Sequence, residues 1–182
     1  MEPAARRIAG AALLEFNPDG KGIPLKEKVL RELATNPPEN TVVGFTDGSS
    51  LEDGEAGAGY SVKVPGRDRE DYAEHLGRHN NNVAEMEALR RLLRRMCELA
   101  LEEPPTKRTY IIFSDSACCL GFLLAGWKAP TSKALAWETR RLLKVLSGRV
   151  RVRLYWIRGH AGIPGNENVD GLTELNYRPP AT

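Results

Sequence analysis

No run of ~18 apolar residues occurs anywhere in the chain, so no stretch reads as a membrane-spanning helix. Cysteine is scarce. The three present are Cys97, Cys118 and Cys119, an odd number with two adjacent. That excludes a disulfide framework and offers no zinc-ligand spacing. Buried free thiols in a reducing, intracellular compartment, cytoplasmic or nuclear, are the expectation. Charge of one sign is missing too: 26 Lys+Arg stand against 24 Asp+Glu, a net +2. Bulk charge therefore makes no case for nucleic acid, and only the placement of charges can make it. Arg6-Arg7 precede the apolar residues Ile8 to Leu14, but Glu15 ends that run too early for a secretory leader.

What is present suits one domain with a modest appendage. The chain has 182 residues, 41% hydrophobic and 27% charged, enough to bury a core. Residues 1–40 read as an N-terminal extension or linker. Within them Leu25, Val29, Leu30 and Leu33 recur at helical spacing, and Asn36-Pro37-Pro38 then breaks the chain. The domain spans residues 41–176, and 177–182 form a short tail.

Inside the domain, strands are expected over Thr41–Asp47, Ala58–Val64, Asp71–Leu76, Thr109–Ser114 and Val150–Ile157. Helices are expected over Val83–Leu101, Ser116–Leu124, from a Ser132 cap to Leu146, and over Asn166–Leu175. Three strands in a meander followed by helix-linked strands make an α/β domain with a mixed sheet. In such sheets ligands favour the carboxyl ends of strands where strand order reverses. Asp47 and Asp115 both lie at strand ends and meet there if their strands are neighbours. Glu85 sits on or beside the apolar stripe of its helix, where a solvated Glu would not be expected. With Asp170 it completes a set of four acids. Carboxylates gathered at one point repel unless a cation lies between them. Oxygen-only ligands suit Mg²⁺, and two such ions ~3.5–4 Å apart would clamp an in-line phosphoryl displacement.

Four motifs, in order along the chain, resemble the type 1 ribonuclease H family. They are Thr46-Asp47-Gly48-Ser49, Asn81-Asn82-Val83-Ala84-Glu85, Ser114-Asp115-Ser116, and Gly-His-x-Gly-x-x-Gly-Asn-Glu-x-x-Asp from Gly159 to Asp170. The resemblance implies a five-stranded mixed sheet of order 3-2-1-4-5 flanked by helices. It also implies cleavage of the RNA strand of an RNA–DNA hybrid, leaving 5′-phosphate and 3′-hydroxyl ends. Carried over residue by residue, Asp47, Glu85, Asp115 and Asp170 are metal-binding acids for two Mg²⁺ ions, with Mn²⁺ as a substitute. His160 is the loop histidine that assists proton transfer or product release. Gly48, Ser49, Asn81, Asn82, Ser116, Trp127 and Lys128 fall where nucleic acid is contacted. Glu85 is expected in the first turn of its helix, where the positive dipole end favours a carboxylate.

Two departures mark the chain. The Lys-rich protrusion of bacterial members is reduced to Gly126 through Lys133. Gly165-Asn166-Glu167-Asn168-Val169-Asp170 reads like reverse-transcriptase-associated versions. A reverse transcriptase domain in the same polypeptide is therefore one expected partner, and the isolated domain is expected to be monomeric. Competing functions are a catalytically weak hybrid-binding module within a polymerase, and another nuclease or strand-transfer enzyme of the same fold. Taken by themselves, Arg90, Arg91, Arg94 and Arg95 read as a solvated helix face partnered by Glu87 and Glu98. Trp127, Trp137 and Trp156 read as packing residues. Cys118-Cys119 has no functional reading.

Overall fold

A strand that is apolar on both faces belongs in the middle of a sheet, and Thr41-Val42-Val43-Gly44-Phe45 is such a run. The computed structural model describes residues 7–8 and 11–15 as backbone, and residues 31–104 and 108–157 in full. In it β3 (Thr41–Ser50) is central, with its first eight residues buried. It pairs antiparallel with β4 (Glu55–Lys63) and parallel with β6 (Thr109–Ser114). β5 (Glu70–Arg78), charged and half-exposed, extends β4, and β7 (Arg151–Trp156) lies parallel to β6. Counted from Thr41, this is the expected five-stranded mixed sheet of order 3-2-1-4-5.

Two further strands were not expected. β1 (Arg7–Ile8) and β2 (Ala11–Glu15) form a short hairpin, and β2 runs parallel to β7. The sheet is thereby seven-stranded, in the order β1-β2-β7-β6-β3-β4-β5. Ala11-Ala12-Leu13-Leu14 has no alternation to announce a strand. Its conformation is matched by the edge it lies on. Part of the presumed linker thus joins the domain's sheet. Residues 31–35 are helical, and Leu33 and Ala34 pack under the sheet. The rest of the expected Leu25–Leu33 helix, and the expected helix Asn166–Leu175, lie outside the described residues.

Three helices cover one face: α1 (Asn81–Leu101), α2 (Ala117–Ala125) and α3 (Lys133–Ser147). Each begins at a polar cap. Asn80 Oδ1 accepts from the Val83 N–H at 2.9 Å, Ser116 Oγ from Cys119 at 3.2 Å, and Ser132 Oγ from Leu135 at 3.4 Å. Because Asn80 takes the cap, α1 starts two residues before the expected Val83. α2 ends at Gly126, whose φ of 74° is the left-handed conformation that glycine accepts cheaply. Arg149 donates to the carbonyls of Ala100 and Glu103, both at 2.9 Å, and so closes the end of α1.

Alternation along the strands divides the core into two layers. Val42, Ile112, Val152 and Leu154 meet the α1 stripe of Leu89, Leu92, Leu93 and Met96. Phe45, Phe113 and Tyr155 stack on the opposite face at centroid distances of 4.9 and 5.5 Å. Each fully buried large side chain contributes about 2–3 kcal/mol. The arginines of α1 contribute less, on the order of 0.5 kcal/mol per exposed pair. Their partners are not only Glu87 and Glu98. Arg91 also reaches Glu74 at 3.1 Å and Arg95 reaches Glu70 at 2.7 Å, both on β5. The burial of the α1 stripe holds the helix down, and the ion pairs orient it across the sheet.

Deleting residues 1–16 strips β2 from the β7 edge. The expected result is a melting midpoint lower by at least about 3 °C, with new concentration-dependent association through the bared strand. An unchanged midpoint by calorimetry would show that the hairpin contributes nothing to the domain.

Candidate functional site

The site follows from register. β3 and β6 run parallel with Thr46 opposite Ser114, so Asp115 leaves β6 beside Asp47, which lies inside the ladder opposite Gly59 because β3 continues past its expected end to Ser50. Asp47 is only 7% exposed, and burial at that depth is costly for a carboxylate.

Glu85 reaches the same region because α1 lies directly on β3. A Cβ added to Gly48 would fall 2.2 Å from the backbone carbonyl carbon of Ala84 and 2.4 Å from the Glu85 nitrogen. No side chain fits there. The sequence places Gly48 among the nucleic-acid contacts. In the structure helix backbone fills that space, so the glycine serves strand–helix contact. Gly44, two pleat repeats away on the same face, meets only the flexible tips of Leu92 and Met96, at 2.7 Å. Asn81 adds a tie: its Oδ1 accepts from Ser50 N–H at 2.6 Å and from Ser50 Oγ at 3.0 Å.

One electrostatic expectation is corrected. With α1 beginning at Asn81, Glu85 is its fifth residue, and the first turn holds no acid. The dipole falls off within that turn, so it does little for Glu85. Burial dominates instead and pushes the Glu85 carboxyl up to about 7. The Ser116 hydroxyl, hydrogen-bonded to it, works in the opposite direction, and the Asp115 charge raises it further. Ser116 is 3% exposed. Its hydroxyl caps α2 and touches Glu85, so this oxygen is engaged inside the protein rather than offered to a DNA phosphate.

The Asp115 main chain is held from two sides. Trp156 Nε1–H donates to the Asp115 carbonyl at 3.0 Å, and the Ser116 N–H donates to Ser114 Oγ at 3.1 Å. Sequence reasoning read Trp156 as packing alone. Its place at the end of the last strand was visible, but the partner of its N–H was not.

The donor chemistry suits a hard cation. Three carboxylates converge on one end of the sheet, and the nearby Cys119 is unsuitable as a soft ligand because burial pushes its thiol up to about 12. Among the described residues no group of three or more His, Cys, Asp or Glu side chains is drawn together as a ready metal cluster. His160 and Asp170 lie outside the described residues.

The other expected contact residues spread outward from the acids. Ser49 and Asn82 are half-buried, and Asn81 and Lys128 are exposed. Trp127, 38% exposed, lies flat on Gly121, where a Cβ would be 2.1 Å from its ring. It borders a cleft of roughly 420 Å³ with Phe122, Lys128, Lys133, Trp137 and Arg140. The Arg140 guanidinium sits 4.1 Å over Phe122 and 4.8 Å over Trp137. Trp137 is 52% exposed and packs at the surface, edge-on to Phe122 at 5.9 Å. Of the thiols expected buried, Cys119 is buried, Cys97 half-buried and Cys118 exposed.

Comparison with known proteins agrees with the fold. The family profile described as RNase H matches residues 39–177. A protein named ribonuclease H from Methylorubrum extorquens is 30% identical over 78% of this chain, which spans 61% of that relative's length. One of the same name from Chelativorans is 32% identical over 74% of the chain and 84% of its own length. Among solved structures, the N-terminal RNase H domain of rv2228c from Mycobacterium tuberculosis superposes with a TM-score of 0.60 at 22% identity. It covers 76% of this chain and 99% of that one. RNase H1 from Halobacterium salinarum gives 0.55 at 20% identity, covering 75% and 96%. These two share the fold.

Two outcomes are expected. Gly48→Ala costs more than about 2 kcal/mol in denaturant unfolding because backbone must move, and Gly44→Ala costs less because side-chain tips can turn. The reverse order would refute the proposed contact. Glu85 carries a folded value near 7 against an ordinary 4.5. Its ionised form is therefore disfavoured in the fold, and stability falls as pH rises from about 4.5 to 7. In EDTA, Glu85→Gln should melt above the parent at pH 8, by the equivalent of about 3 kcal/mol at most. That advantage should vanish near pH 4.5. A pH-independent difference would contradict the burial argument.

Proposed function

The chain belongs to the ribonuclease H family, a family of nucleases, and from that premise we propose that it hydrolyses the RNA strand of RNA–DNA hybrids, leaving 5′-phosphate and 3′-hydroxyl ends. The observation that carries this reading is the convergence of Asp47, Asp115 and Glu85 at one end of the sheet, two from parallel neighbours in register and one from the helix seated on Gly48. In the proposal Asp47, Glu85, Asp115 and Asp170 would hold two Mg²⁺ ions, or Mn²⁺ in their place. Such ions, when bound, activate water and stabilise charge on the phosphate during in-line displacement.

The chain's own groups do the rest. Asp47, within β3, and Asp115, just past β6, supply negative charge from positions that regular structure fixes more precisely than a loop would. Burial pushes the Glu85 carboxyl up to about 7, and the Ser116 hydroxyl is hydrogen-bonded to its carboxylate. His160, with an imidazole that exchanges protons near neutrality, carries a proton to or from the leaving group. Ser49, Asn81 and Asn82 face the RNA strand, where a 2′-hydroxyl distinguishes RNA from DNA. Trp127 and Lys128 receive the DNA strand through stacking and phosphate contact.

The same proposal takes the enzyme as a monomer acting in a reducing intracellular compartment, with residues 41–176 as its domain. A reverse transcriptase partner would fit the shortened segment Gly126–Lys133. The bacterial relatives named ribonuclease H do not favour that origin, so a cellular enzyme is the preferred context.

A labelled RNA–DNA hybrid should be cut with Mg²⁺ and not with EDTA. Asp47→Asn should lower kcat at least about a hundredfold while leaving the circular dichroism spectrum unchanged. Cleavage by Asp47→Asn at the parent rate would remove Asp47 from the site, and equal cutting of duplex DNA would refute the substrate class.

A further inference from the structure

We propose that Trp156 is a positioning residue for Asp115. Trp156 ends β7 and pairs with Ser114, the last residue of β6. Asp115 is one residue beyond that strand, past the end of the sheet ladder. The Ile157 N–H reaches back only as far as the Ser114 carbonyl, at 2.9 Å. The Asp115 carbonyl is met instead by the indole Nε1–H of Trp156, at 3.0 Å. On the far side the chain turns at once into the Ser116 cap of α2.

The direction of a carboxylate depends on the peptide that carries it. A swing of the Asp115–Ser116 peptide moves the Asp115 side chain, and a displacement of about 1 Å at a reacting centre costs on the order of a hundredfold in rate. The indole is a well-placed fixed donor because its ring packs against the main core. It spans the step from the rigid strand to the acid. If the ring served only to fill space, its shape would matter and its N–H would not.

The inference rests on the reading of Asp115 as a metal-binding acid, and the test separates the two. Trp156 is replaced by β-(3-benzothienyl)alanine, which keeps the bicyclic shape but carries sulfur in place of the N–H. Trp156→Phe is made beside it. Mn²⁺ affinity is measured by calorimetry without nucleic acid, kcat and KM on a hybrid, and the melting midpoint in EDTA. In the benzothienyl variant the midpoint and KM should stay as in the parent. Mn²⁺ affinity and kcat should each fall about fivefold, the scale of one neutral hydrogen bond. Trp156→Phe should show the same losses with a lower midpoint from lost volume. Parent-like Mn²⁺ affinity and kcat in the benzothienyl variant would overturn the positioning role. If the parent binds Mn²⁺ but cuts no hybrid, the proposed function falls and the Mn²⁺ comparison alone decides the role of Trp156. If the parent binds no Mn²⁺, both readings fall.

Discussion

The contact on which the rest depends is backbone against backbone, between β3 at Gly48 and α1 at Ala84–Glu85. Strand and helix usually keep their side chains between them. Here one missing side chain lets the chains touch, and three consequences follow. Glu85 arrives at the part of β3 that already carries Asp47. The α1 stripe is brought down onto Gly44 and Val42. Asn81 comes within reach of Ser50 and ties the two elements at their shared end. The buried stripe supplies the free energy, while the glycine decides where along the strand that energy is realised.

The acids are costly to the fold in the form in which they would be useful. Asp47 is enclosed, and Glu85 is held in surroundings that disfavour its charge. A site that concentrates negative charge at the end of a buried sheet is less stable than one with neutral residues there, a common relation between stability and function. The neighbouring groups limit this cost without removing it. Ser116 bonds to Glu85 while capping α2, so one hydroxyl serves both a helix start and an acid. The Asp115 backbone is similarly anchored by residues whose own places are set by strand register.

Much of this was legible in the residues alone. Apolar runs ending in Thr-Asp and Ser-Asp located the two central strands, because buried parallel strands read as continuous hydrophobic segments. The β6 limits, Thr109–Ser114, coincide with those expected. What was not legible depended on partners far along the chain. The role of Gly48 requires knowing which helix lies above it. The N–H of Trp156 has a partner 41 residues away. The start of α1 was misplaced because three asparagines each make a plausible cap and only Asn80 adopts the extended conformation required. Cys118 reads as buried from its residue type, and helix phase turns it outward. His160 and Asp170 remain where the motif alone put them.

The hairpin at the head of the chain carries a consequence for synthesis. β2 pairs Ala11 with Val152, so an early strand waits for a late one. On the ribosome its partner does not exist until nearly the whole domain has emerged, and a contact between such distant segments closes late. The other five strands and three helices are available to one another before then. The sheet is therefore completed at its β2 edge, and a segment made before the central strands takes its place after them.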